Sequence, residues 1–192
     1  MMRIIEELMI SGLYMEMPRF PCFKVDIANT DEAFIKNFIS CRPDQNWLLL
    51  AEHAALSQHQ LWTAWLLAQR AFGQDRALAR SIDAEFLRYM AGTHHVTEAF
   101  KKVGINVSHR YAWIVHLPKA EFSEGEIIPD FDSDEVIQMF DNLVKSLNIR
   151  ALSGSPEMSA FGLENLGISV DNISEETEDR LIGFMISTEL NS

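Results

Sequence analysis

The chain has 192 residues, 47% hydrophobic and 23% charged, the composition of a folded protein that can bury a core without disulfides or metal. Disorder over most of the length is excluded, and so is a membrane span, since no apolar run reaches about 18 residues. Net charge is −12, unevenly spread: residues 1–120 hold thirteen basic and twelve acidic side chains, residues 121–192 three and sixteen. That balance argues against a general nucleic-acid coat protein, while a local basic patch can still grip a phosphate chain.

The chain reads as one domain over residues 1–192, with the Met-rich residues 1–17 a loosely ordered N-terminal extension. Only Arg3 precedes Glu6 and Glu7, which is not the pattern of a secretory signal. Cys22 and Cys41 are too few for a disulfide framework and read as reduced thiols of a cytoplasmic protein. Phe20, Phe23, Val25 and Ile27, beside Pro18 and Pro21, predict an edge strand. Asn29 or Thr30 then caps a helix whose apolar face is Phe34, Ile35, Phe38 and Ile39, ended at Pro43 and Asp44. Trp47 to Leu50 is a short apolar run, a buried strand.

Ser57-Gln58-His59-Gln60 has the form of a capping box, opening a mostly buried helix that ends at Gly73. Two shorter helices follow. Ala84 to Ala91 turns Phe86, Leu87 and Met90 inward and stops at Gly92, and Val96 to Val103 stops at Gly104. Arg110 to Leu117 predicts a strand with Ala112, Ile114 and His116 on one face and Trp113 and Val115 on the other. Ser133 caps a helix through Leu147, and Ser174 caps a last helix that gives way at Gly183 to an alternating, strand-like stretch. The uneven interleaving gives an α+β or mixed-sheet α/β class.

Familiar catalytic patterns are missing. There is no P-loop, no G-x-G-x-x-G and no G-x-S-x-G. The six histidines fall at no zinc-ligand spacing. Asp130-Phe131-Asp132-Ser133-Asp134 opens like a calcium loop, but Glu135 and Asp141 stand where the turn glycine and the bidentate glutamate belong, so an acidic helix cap is the better reading. A helix-turn-helix over Thr97–Tyr111 fails because Ala99 and Gly104 are five apart rather than four.

What stands out is a basic stretch. Residues 70–110 carry Arg70, Arg76, Arg80, Arg88, Lys101, Lys102 and Arg110 against Asp75, Asp83, Glu85 and Glu98, with His94, His95 and His109 nearby. Within it, Ala79 to Ile105 (ARSIDAEFLRYMAGTHHVTEAFKKVGI) holds Ala91-Gly92, Glu98-Ala99 and Val103-Gly104-Ile105. On these residues the segment resembles the kinase-regulator subunits of the KEOPS complex, the PRPK-binding protein (TPRKB-like) family. The likeness covers about residues 47–117 and continues in element order to the C-terminus.

The resemblance implies an α+β fold, a small mostly antiparallel or mixed β-sheet packed by several α-helices. It also implies a non-enzymatic subunit without cofactor or metal, with no membrane or DNA partner. Such a subunit docks on the N-lobe of the complex's small atypical kinase/ATPase and stimulates it. It also helps hold the single-stranded 3′ CCA end of tRNA for threonylcarbamoyladenosine formation. Tail binding needs cations for phosphates and flat groups for unpaired bases. Arg80, Arg88, Lys101 and Lys102 would supply the first, and Tyr89, His94 and His95 the second. His94-His95 replaces the family's usual Arg-Gln, and imidazoles near pKa 6.5 are mostly neutral at pH 7. The competing readings are a small metal-dependent enzyme using the acidic run 130–135, and a homo-oligomer held by the Trp62/Trp65 helix.

Overall fold

A computed structural model describes residues 18–190 apart from Asn29, Ser108 and Glu124. The expected N-terminal extension, and Asn29 as a cap, therefore lie outside the described residues. Four antiparallel strands form the sheet in the order β2-β3-β1-β6: β1 (Cys22–Asp26), β2 (Trp47–Ala51), β3 (Tyr111–His116) and β6 (Arg150–Leu152). A separate hairpin joins β4 (Lys119–Ser123) to β5 (Glu126–Asp130). The helices are α1 (Glu32–Cys41), α2 (Gln58–Gly73), α3 (Ile82–Ala91), α4 (Val96–Val103), α5 (Ser133–Leu147), α6 (Ala160–Leu166) and α7 (Glu175–Leu190). The class is α+β.

Strand alternation decides which helices cover which face. Trp113 and Val115 of β3 point into a core built with α2, α3, α4, α6 and α7, while Ala112 and Ile114 point into a second core with α1 and α5. Because both faces are covered, β2 is buried at every position, which explains its unbroken apolar run. Each fully buried Leu contributes about 1.5–3 kcal/mol relative to exposure. The order of layers thus follows from the two-residue period of the strands.

Local chemistry corrects several expectations. β1 is an interior strand, not an edge: its prolines precede it, so no ladder hydrogen bond is lost within Cys22–Asp26. The cap of α1 is Asp31, whose carboxylate accepts from the Phe34 N–H at 2.7 Å, while Thr30 is buried and donates to the His109 carbonyl. Ser57 caps α2 as read, accepting from the Gln60 N–H, but the Gln60 side chain accepts from the Leu56 N–H, so the box is only half closed. Asp132, not Ser133, caps α5 by accepting from the Asp134 and Glu135 N–H groups.

The C-terminal strand-like stretch is helix through Leu190: Thr177, Leu181, Met185 and Thr188 recur at helical spacing and are buried, and that period wins over the local alternation. Gly92 ends α3 in the left-handed region at φ 59°, where an added Cβ would overlap the Phe184 ring of α7. Trp62 and Trp65 are only 4% and 2% exposed and donate to the Pro18 and Pro118 carbonyls, so they build the chain's own core rather than an oligomer contact.

Candidate functional site

The residues expected to grip tRNA part company. Arg88 is 1% exposed and lies against Glu85, itself fully buried: Nε and Nη2 donate to the Glu85 carboxylate at 3.1 and 2.8 Å, and Nη1 donates to the Thr93 carbonyl at 2.7 Å. Glu85 also accepts from the Ala79 N–H, so the pair ties the approach to α3 to the turn that leaves it. Tyr89 is 3% exposed, its ring 5.1 Å from the Arg88 guanidinium. A phosphate cannot reach Arg88, nor a base Tyr89, because both are spent on the core. The expectation for these two residues is therefore corrected.

The others are at the surface but not together. Arg80 is exposed before the start of α3, while His94 and the exposed His95 follow its end, roughly 15 Å away for a ten-residue helix. Lys101 is exposed on the last turn of α4, and Lys102 beside it pairs with Glu98 at 2.9 Å, which helps hold the Glu98 carboxyl below its ordinary range. The acidic run 130–135 gathers no ion site: Asp132 is occupied as the α5 cap, and among the described residues no three His, Cys, Asp or Glu side chains converge.

A different place collects the chemistry. At one end of the sheet an open cavity of about 730 Å³ is lined by Lys24 of β1, Glu52 and His53 after β2, His109, Arg110, Tyr111 and Trp113 of β3 and its approach, and Phe161 of α6. Alternation on β3 puts Tyr111 and Trp113 on one face, and Lys24 lies over both rings, 5.8 and 5.7 Å from their centroids. The Arg110 guanidinium is 5.3 Å from the Tyr111 centroid. His53 meets His109 edge-on at 5.8 Å and Phe161 at 5.2 Å.

The walls are held by the backbone. Trp113 Nε1 donates to the Glu52 carbonyl at 2.9 Å and His53 Nε2 to the Lys102 carbonyl at 3.2 Å, so the backbone at the C-terminal end of α4 supports the cavity wall. Gly162 lets α6 come close enough for Phe161 to reach His53, since a Cβ there would overlap the His53 carbonyl. Arg19 pins the far rim by donating to the Gly154 carbonyl and the Ser155 hydroxyl at 2.6 and 2.9 Å.

The electrostatics are tuned by one carboxylate. Asp26 is 6% exposed and accepts from Arg110, from the Ala28 N–H at 2.9 Å and from Arg150 at 2.7 Å. The Arg110 hydrogen bonds, the Ala28 amide and Arg150 hold its carboxyl down to about 2 against the opposing effect of burial. Two guanidiniums, 60% and 68% exposed, thus share a single counter-charge. His109 lies below the ordinary histidine value, first because burial disfavours its charged form and then because His53 is close, with Glu52 opposing.

Sequence reasoning missed this cavity. The run His109-Arg110-Tyr111-Ala112-Trp113 carried a signal, basic and aromatic residues at the start of a strand, whereas Lys24, His53 and Phe161 join it only through the fold. Comparison with known families decides what kind of protein holds it. The family model of the kinase-binding protein CGI-121 matches residues 25–160. The chain belongs to this family. Its match runs from Val25, within β1, to the first residue of α6, and so takes in every cavity-lining residue named above except Lys24 and Phe161. No curated protein matches the chain.

Proposed function

We propose that this CGI-121 family member is a non-catalytic, cytoplasmic subunit of the KEOPS tRNA-modification complex. In this reading it binds and stimulates the small atypical kinase/ATPase. It also holds the unpaired 3′ CCA end of tRNA while another subunit forms threonylcarbamoyladenosine. Family membership supports the kinase partner. The cavity supports the tRNA end, and one observation carries that part: the rings of Tyr111 and Phe161 stand beside Lys24 and Arg110 at an open mouth, with the buried Trp113 behind them. Stacking on such rings is worth about 1–3 kcal/mol per base and tolerates any base, while the cations meet the phosphates. In the same reading Lys101 and Lys102, at the last turn of α4, offer further cations, and Arg80, His94 and His95 are secondary contacts.

Two experiments test the two halves. Co-purification with the cognate kinase, followed by its ATPase rate, is expected to give a complex and stimulation; no complex and no stimulation refutes the kinase role. Anisotropy of a CCA-ended tRNA is expected to show weakened binding by Tyr111→Ala and Phe161→Ala. Unchanged binding by both variants refutes the cavity as the tRNA site.

A further inference from the structure

We propose that a nucleic-acid phosphate enters this cavity together with a proton taken up at His109, beside the His53 ring, so that the site tightens as the medium becomes more acidic. The inference rests on the nucleic-acid reading above and concerns how that site is regulated.

The charges around the cavity nearly cancel. Lys24 is the cation nearest the rings, but Glu52 holds it at 2.6 Å. Arg110 is hydrogen-bonded to Asp26, which Arg150 also shares. Glu157 adds a further carboxylate to the lining. Three cations, Lys24, Arg110 and Arg150, thus stand against three carboxylates, Glu52, Glu157 and Asp26. On α4, Lys102 is paired with Glu98. The cavity lining therefore has little spare positive charge at neutral pH, and the His109 imidazole is a further source.

The geometry of His109 keeps that source in reserve. The Asn106 N–H donates to His109 Nδ1 at 3.2 Å, which requires that nitrogen to carry a lone pair. A proton there breaks the bond and places a charge 5.8 Å from the His53 ring. An anion bound beside His109 offsets both costs, since its negative charge stabilises the imidazolium. By linkage, a ligand that favours the protonated form binds more tightly where that form is populated.

The test is anisotropy of a 5′-labelled, CCA-ended single-stranded RNA with the full chain between pH 8.0 and 6.0 at fixed ionic strength. Affinity is expected to rise about five- to tenfold over that range, about the effect of a one-unit pKa change in one group. The double variant His53→Gln/His109→Gln is expected to bring the ratio close to one. Imidazole NMR of the unmodified chain provides a second measure that does not depend on a variant folding: the His109 pKa is expected to rise when the RNA is added. Binding that does not change with pH, or a double variant that keeps the full pH response, overturns the proton coupling while leaving the nucleic-acid reading intact. No binding at any pH overturns both.

Discussion

Arg88 and Arg110 carry the same side chain and each meets a carboxylate, yet they have opposite fates. Arg88 sits on a helix whose every residue from Asp83 to Ala91 is buried, and all the hydrogen bonds of its partner Glu85 are internal. Arg110 lies just before a strand, where the chain emerges from the sheet, and shares Asp26 with Arg150 while staying more than half exposed. The first arrangement uses charge to join pieces of backbone; the second leaves guanidinium surface facing a cavity. A count of basic residues cannot separate these roles, because it does not record whether the carboxylate partner is buried with the cation or behind it.

The largest expected effect comes from breaking the internal pair. Arg88→Ala leaves Glu85 uncompensated in the core and should cost about 3–5 kcal/mol, read as a large drop in urea midpoint. A double variant Glu85→Leu/Arg88→Met should recover most of it, since well-packed apolar residues can replace a buried pair. A mild effect of Arg88→Ala would show that the side chain is free, and would erase the contrast with Arg110. Next, Gly92→Ala meets both a left-handed backbone and the Phe184 ring, for about 2–4 kcal/mol by thermal denaturation. Adding Phe184→Ala should relieve the clash but not the backbone strain.

On the exposed side the effects fall on binding rather than folding. Phe161, 63% exposed, should be replaceable by Ala with little change in stability but a loss of roughly 1–3 kcal/mol in RNA-end affinity. Lys101→Gln should weaken binding less, and lower the salt dependence by about one phosphate contact. The smallest effect is on stability between pH 7.5 and 5.5. His116, its ring 4.8 Å from Trp47, and His109 are both held below the ordinary histidine value, chiefly by burial. The unfolded chain therefore takes up protons first, so their contribution is present above the ordinary value near 6.5 and is lost as pH falls toward the folded one. A modest fall in the urea midpoint on acidification is expected. The Asp26 carboxylate, held near 2, keeps its own contribution throughout that window.

Much of the fold was legible because its signals are local. The Val96–Val103 helix and its stop at Gly104 match the sequence reading residue for residue, and the two faces of β3 follow directly from alternation. What failed was set by distance in the chain. β1 reads as an edge because Pro18 and Pro21 sit beside it, whereas its neighbour β6 is three residues long and lies more than a hundred positions away. The hairpin β4–β5 and helix α6 are not among the predicted elements, being short and weakly patterned. The candidate site suffered most. Contiguity in sequence made Arg88 and Tyr89 look like partners of Lys101, but their helix is buried from Asp83 to Ala91 while Lys101 stands exposed on the next one. Phe161 reaches the cavity only because Gly162 lets its helix approach the turn after β2.

The account turns on where the unpaired RNA end lies. A tRNA carrying a photoreactive 3′-terminal adenosine, irradiated in complex with the full chain and mapped by peptide mass spectrometry, tests it most directly. Crosslinks in the Tyr111–Trp113 peptide or at Phe161 are the result expected here. Crosslinks confined to residues 80–95, with none at the sheet end, would contradict it.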